Sequence, residues 1–116
     1  MSEDCREATN TTFRFDFRLY IELQAIWSYK TFGPGPCDEG IIDHIHKELV
    51  EIENDPGDLE EWIDVIILAI DGASKRGYSP DEIIRTLLEK QTKNMHRKWP
   101  DWRTAEPGKA IEHIKK

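Results

Sequence analysis

Residues 48–64, Glu48-Leu49-Val50-Glu51-Ile52-Glu53-Asn54-Asp55-Pro56-Gly57-Asp58-Leu59-Glu60-Glu61-Trp62-Ile63-Asp64, decide the fold. Their centre, Asp55-Pro56-Gly57-Asp58, is built from turn residues. Before it, Ile41, Ile45, Leu49 and Ile52 recur at helical spacing and mark one apolar face. After it, the chain from residue 59 to about residue 76 is apolar almost all round, which predicts a central, buried helix. Two helices joined by so short a turn form an antiparallel hairpin. Glu48-x-x-Glu51 lies on the first helix and Glu61-x-x-Asp64 on the second, and residues three apart share a helix face. Glu51 and Glu61 are each five residues from position 56, and Glu48 and Asp64 are each eight. At about 1.5 Å of rise per residue, the four carboxylates fall into two facing pairs about one turn apart. Carboxylates gathered in this way repel one another. Mg²⁺ or Mn²⁺, hard cations that favour oxygen ligands, would relieve the repulsion.

Each acid also has an ordinary reading. Asp58 is placed to cap the second helix of the hairpin, with Glu61 as its capping-box partner, and Glu48 and Glu51 could simply face solvent. Asp64 is harder to explain in that way. It sits among Trp62, Ile63, Val65, Ile66 and Ile67, where an unpaired carboxylate is costly. Asp71 poses the same question one heptad later, with a base on another helix as a possible partner.

Outward from the hairpin the punctuation is clear. Gly33-Pro34-Gly35-Pro36 ends an earlier helix, on which Phe13, Phe17, Tyr20, Gln24, Trp27 and Thr31 share one face. Gly77 closes the third helix. Ser79-Pro80-Asp81-Glu82 opens a fourth, with Ser79 as N-cap, Pro80 as first helical residue and Glu82 as box partner. That helix carries Ile83, Ile84, Leu87, Leu88 and Met95 and runs to about Trp99, before Pro100. A short fifth helix is expected over residues 107–114. Strand-like alternation is absent. The expected fold is all-α, an antiparallel four-helix bundle with a short C-terminal helix. Residues 1–12 read as a tail, 13–102 as the domain, and 103–116 as an arm able to clasp a neighbour.

The chain has 116 residues, of which 38% are hydrophobic and 34% charged, so its single core is thin and self-association is expected. Its net charge of -7 is unevenly spread. Residues 38–74 hold 12 acids and one base, whereas residues 75–116 hold 11 bases and 6 acids. Opposite signs in neighbouring segments suit either solvated faces or the two halves of one site, carboxylates for a metal and cations for an anion. The acidic middle argues against nucleic acid as the main partner. The most apolar stretch, residues 62–73, contains two aspartates and is too short to span a bilayer. The N-terminus lacks the basic and apolar regions of a secretion signal. Cys5 and Cys37 make no disulfide framework, so a reducing cytoplasm is expected.

On the fourth helix, Ile83, Leu87, Lys90, Asn94 and Arg97 form a stripe that turns from apolar to cationic. Bases near a helix C-terminus offset the helix dipole, and Lys93 and Lys98 fit that ordinary role. Lys90 and Arg97, with Asn94 as donor, suit a triphosphate.

These motifs, taken together, resemble the all-α nucleoside triphosphate pyrophosphohydrolases, the MazG-like superfamily. The likeness rests on Glu48-x-x-Glu51 and Glu61-x-x-Asp64 and on their surroundings. Those are Trp27-Ser28-x-Lys30-Thr31-Phe32-Gly33, Asp43-His44-Ile45, the run from Asp58 to Ala69, and Lys90-Gln91-x-Lys93-Asn94-x-x-Arg97-x-Trp99-Pro100-Asp101-Trp102-Arg103. The pattern is similar to the small dATP/dGTP pyrophosphohydrolase branch and its MazZ-like phage members, and covers residues from about 20 to 115. The resemblance implies a four-helix bundle acting as a homodimer or homotetramer. It implies cleavage of a purine deoxynucleoside triphosphate, dGTP or dATP, to the monophosphate and pyrophosphate with Mg²⁺ or Mn²⁺. By the same resemblance Glu48, Glu51, Glu61 and Asp64 are metal ligands, with Glu48 also the base. Lys90, Asn94 and Arg97 contact phosphates, and Trp27, Lys30 and Thr31 lie near the nucleotide, with Trp27 either stacking on the base or packing in the core. The spacer between Glu51 and Glu61 is shorter than in many members of the superfamily. If the protein is phage-encoded, its place is the host cytoplasm, and its product would serve either clean-up of the nucleotide pool or modified-purine DNA.

Other chemistries fit less well. A di-iron bundle needs Glu-x-x-His pairs, which none of the four histidines forms. The cysteines lack zinc-site spacing. A non-catalytic helical adaptor binding a metal, a nucleotide or a partner is the alternative from a different class, and it gives no reason for four carboxylates at matching levels.

Overall fold

The computed structural model describes residues 14–115. The expected tail at residues 1–12, with Cys5, and Phe13 of the first helical face lie outside the described residues. The described residues form four α-helices, α1 (Phe17–Phe32), α2 (Asp38–Asn54), α3 (Leu59–Lys75) and α4 (Pro80–His96), followed by a single 3-10 turn, Trp102–Thr104. The all-α class is as expected, and no strand occurs among the described residues. No described helix is long and apolar enough to cross a membrane.

The ends of the helices follow from local chemistry. The Asp16 carboxylate caps α1 by accepting from the Leu19 N–H at 3.0 Å, and the helix stops at Gly33, whose φ of +93° suits a residue without a Cβ. Asp58 caps α3 by accepting from the Glu60 N–H at 3.0 Å, while its own N–H closes the turn onto the Asp55 carbonyl at 3.1 Å. The cap is therefore present without Glu61 as the box partner. At α4 the box is complete. The Ser79 N–H donates to Glu82 Oε1, and the Glu82 N–H donates to Ser79 Oγ, both at 3.1 Å.

Two contacts lock the α2–α3 hairpin. The Trp62 indole N–H donates to the Pro56 carbonyl at 3.0 Å, which holds the first turn of α3 against the loop. At the far end, Arg76 pairs with Asp38, joining the end of α3 to the start of α2.

The chain divides into two compact units, one ending at Ile84 and the other beginning at Arg85. In the first, α1 and α2 both pack on α3 but not on each other. Helix α3 is thus central, yet it is not enclosed. Trp62, Ile63 and Ile66 are exposed, and Asp71 is its one fully buried residue. The all-round apolar pattern of this helix is therefore only partly used within one chain. On α1 the buried positions are Ile21 and Ser28, not the aromatic face seen in the sequence. That face borders a cavity, described below. The first unit also holds an ion pair between Arg18 and Asp81, at 2.9 Å.

In the second unit α4 stops at His96, and the Trp99 indole N–H donates back to the Asn94 carbonyl at 2.8 Å. Asp101 accepts from the Arg103 N–H and pairs with its guanidinium, which holds the Asp101 carboxyl below the usual carboxylate range. The helix expected over residues 107–114 does not form. Pro107 and Gly108, the latter at φ +77°, instead make a turn closed by the Lys109 N–H on the Glu106 carbonyl, the pattern of a type II turn.

The Ser79 cap gives a direct test. Ser79→Ala removes the hydroxyl oxygen that accepts from the Glu82 N–H at the start of α4 and should lower unfolding stability by about 1 kcal/mol, read from the urea midpoint. Glu82→Ala, acting on the same box, should not add its full single-variant effect in the double variant.

Candidate functional site

Helices α2 and α3 together build an acidic centre. One carboxylate oxygen from each of Glu48, Glu51 and Glu61 lies within 4.8 Å of the others. Glu48 is buried, Glu61 half-buried and Glu51 exposed. Asp64 stands outside this trio and lines the neighbouring cavity beside Glu48. The level arithmetic pairs Glu61 with Glu51 alone. In the structure Glu61 reaches both residues of Glu48-x-x-Glu51, because a side chain facing that pair bridges the turn separating them.

The electrostatics follow from this crowding. Hydrogen bonding to Glu51, and then to Glu48, raises the Glu61 carboxyl from its ordinary 4.5 to about 8, with desolvation and the charges of both neighbours adding to the effect. Glu48 Oε1 faces His44 Nε2 at 3.3 Å across one helical turn. The second oxygens of Glu48 and Glu61 are buried without a hydrogen-bond partner. A buried carboxylate oxygen left unpaired is costly, so an oxygen-only donor set with two such atoms fits a hard divalent cation. This contact explains why Glu61 does not serve as a box partner: its side chain is engaged across the hairpin.

The backbones of α1 and α2 both approach α3 but not each other, and a cavity of about 740 Å³ opens over α3. Tyr20, Gln24, Trp27 and Phe32 border it from α1, Ile41, His44 and Glu48 from α2, and Asp64, Ile67, Asp71 and Lys75 from α3. The cavity therefore begins at the carboxylates and runs along the floor helix. Its mixture of apolar walls and a few polar groups is that of a small-molecule site. Trp27 and Phe32 meet edge to face, with ring centroids 5.5 Å apart. Trp27 is 56% exposed, so it is not a core residue in this chain. Lys30 and Thr31, on the same helix, are exposed and do not border the cavity.

Asp71 pairs within its own helix, not with a base elsewhere. Its Oδ2 lies 3.9 Å from Lys75 Nζ, and its Oδ1 has no partner. His44, Asp71 and Lys75 are the cavity groups that motif reading left without a role. The i,i+4 spacings of His44 to Glu48 and Asp71 to Lys75 were the available signal.

Lys90, Asn94 and Arg97 lie in the second unit. Lys90 is exposed and the other two are half-buried, with Arg97 Nη1 donating to Asn94 Oδ1 at 3.0 Å. There His113 packs edge to face on Trp99, and desolvation, reinforced by Arg97, lowers its pKa.

The proton on Glu61 predicts a pH dependence of stability. Between 4.5 and about 8 the folded, metal-free chain holds a proton that the unfolded chain has released. Folding stability from this group therefore falls as pH rises through that window and levels off above it. Thermal unfolding in the presence of a chelator should show this fall, and Glu61→Gln should flatten it. Mn²⁺ must displace the same proton, so its stabilising effect should grow as pH rises.

Comparison with known proteins accords with this geometry. The family model described as dATP/dGTP pyrophosphohydrolase matches residues 20–116. The chain is similar to the Eaa protein of Salmonella phage P22, at 40% identity over 84 residues, which is 72% of this chain and 26% of that protein. The chain thus spans about a quarter of the length of that relative. No solved structure gives a significant match. The family match takes in the carboxylate trio, Asp64, the cavity residues of all three helices and the whole of α4. With the match extending over most of its length, the chain belongs to the dATP/dGTP pyrophosphohydrolase family.

Proposed function

We propose that this chain is a divalent-cation-dependent pyrophosphohydrolase that converts a purine deoxynucleoside triphosphate, dGTP or dATP, to the monophosphate and pyrophosphate. The observation that carries this reading is the convergence of Glu48, Glu51 and Glu61, with unpartnered oxygens on Glu48 and Glu61, where Glu48 borders a cavity large enough for a nucleoside. Those three residues, with Asp64 beside them, would hold Mg²⁺ or Mn²⁺. When bound, the cation neutralises the triphosphate and activates the attacking water.

The remaining work falls to the chain. Glu48, with one oxygen toward His44 and the other free, is suited to take the proton from water as general base, and His44 to orient it. Lys90 and Arg97 supply positive charge for the phosphates, and Asn94 supplies a donor. Trp27 offers an aromatic surface to the base, and Lys30 and Thr31 lie close by in sequence. The product monophosphate would serve either pool clean-up or the synthesis of modified-purine DNA.

The exposed Trp62, Ile63 and Ile66 on α3 and Leu23 and Ile26 on α1 support assembly into a homodimer or homotetramer. Sedimentation equilibrium should then give two or four times the 13.6 kDa of one chain. A monomer at micromolar concentration would refute the assembly.

The reaction is tested by anion-exchange analysis of products from each deoxynucleoside and ribonucleoside triphosphate with Mg²⁺ or Mn²⁺. Monophosphate with pyrophosphate is expected from the purine deoxynucleotides. Diphosphate with phosphate would reject α–β cleavage, and no turnover with metal bound would favour a binding adaptor. Asp64→Ala should lower kcat/KM by roughly a hundredfold or more, and an unchanged rate would remove Asp64 from the site.

A further inference from the structure

We propose that Asp71 and Lys75 read the base in the cavity and select guanine over adenine. The inference rests on the reading that this cavity takes a purine nucleotide, and names which purine it prefers. Asp64 and Asp71 both line the cavity from α3, seven residues apart. That is about two turns, or about 10 Å along the helix. A nucleotide with its phosphates at the carboxylates therefore brings its base to Asp71.

The groups waiting there are unusual for the interior of a helical hairpin. Asp71 is 5% exposed, and the Lys75 side chain is 6% exposed. Their charged atoms are 3.9 Å apart, too far for a good hydrogen bond, and Asp71 Oδ1 has no partner at all. Lys75 Nζ lies 5.9 Å from the centroid of the Phe32 ring, which also borders the cavity. A buried ion pair is favourable only when its remaining atoms are satisfied. Here one buried acceptor is left over on a residue that lines the cavity.

The pair has a definite polarity. A carboxylate only accepts hydrogen bonds and an ammonium only donates them. Guanine presents O6, an acceptor, next to N1–H and N2–H₂, both donors, so O6 suits Lys75 and the two donors suit Asp71. Adenine held in the same orientation presents N6–H₂, a donor, to Lys75 and N1, an acceptor, to Asp71, and is mismatched at both positions. Trp27 and Phe32 provide flat apolar surface that either purine can use. The selection thus comes from the polar pair alone.

The test is calorimetric binding of dGMP, dIMP and dAMP to the full chain, alongside turnover of the matching triphosphates. The wild-type protein should bind dGMP roughly tenfold or more tightly than dAMP, with dIMP, which lacks the 2-amino group, in between. Asp71→Asn keeps the side-chain shape but offers both a donor and an acceptor. It should weaken dGMP and strengthen dAMP, narrowing or inverting the ratio, an outcome that mere loosening of the fold would not produce. Equal or tighter binding of dAMP by the wild type would overturn the proposal, as would an unchanged ratio in folded Asp71→Asn. The two arms separate the claims: discrimination without turnover would refute the pyrophosphohydrolase reading alone, and turnover without discrimination would refute base selection alone.

Discussion

Mutual repulsion among Glu48, Glu51 and Glu61 is the constraint that the α2–α3 hairpin has to overcome. Three acids within 4.8 Å of one another are unfavourable in isolation. The hairpin holds them there because the α2–α3 contact, the Pro56–Gly57 turn, the Trp62 latch and the Arg76–Asp38 pair oppose their separation. In the absence of metal the cluster eases the repulsion by keeping a proton on Glu61. Proton and cation are alternative occupants of the same negative space.

The same hairpin makes the cavity. Helix α3 is shared by two neighbours whose backbones stay apart, so the space between them is floored by one helix and walled by two. The floor helix carries a polar group at each end of that space, Asp64 near the carboxylates and Asp71 with Lys75 farther on. The polar groups of the cavity are consequently spaced along one rigid element, which fixes the distance between them better than loops would.

Much of this was legible from side-chain spacing. The turn at Asp55–Asp58, the Asp58 cap, the Ser79–Glu82 box and the four helices follow from local rules, and the structure contains them. The gathering of Glu48, Glu51 and Glu61 was also accessible, since a symmetric hairpin sets the levels of its residues. Finer features were not. Whether Glu61 would cap its helix or face across the hairpin depends on a rotamer that spacing does not determine. The aromatic face of α1 pointed to a core and borders a cavity instead, because periodicity reports a shared face but not what lies opposite. Residues 107–114 look helical by composition, yet Pro107-Gly108 makes a turn once Gly108 takes a positive φ. Lys75 was hidden as the partner of Asp71 because a base four residues away on the same helix resembles routine surface pairing.

The loop of residues 55–58 joins α2 and α3 with almost no slack, and Trp62 ties the new helix back to it. Each residue added to a helix turns everything beyond it by about 100°. A residue added inside either helix, between Ile52 and Asn54 or between Leu59 and Glu61, would therefore rotate one arm of the acidic trio out of line, even if both helices survived intact. Length is closed off by geometry within these helical turns, whereas the loop between them and Gly33-Pro34-Gly35-Pro36 lie outside any such register. The connections differ accordingly as sites for grafting: the Gly-Pro linker can take added sequence, and the acidic hairpin can take it only in its loop, not in the helical turns that carry Glu51 and Glu61.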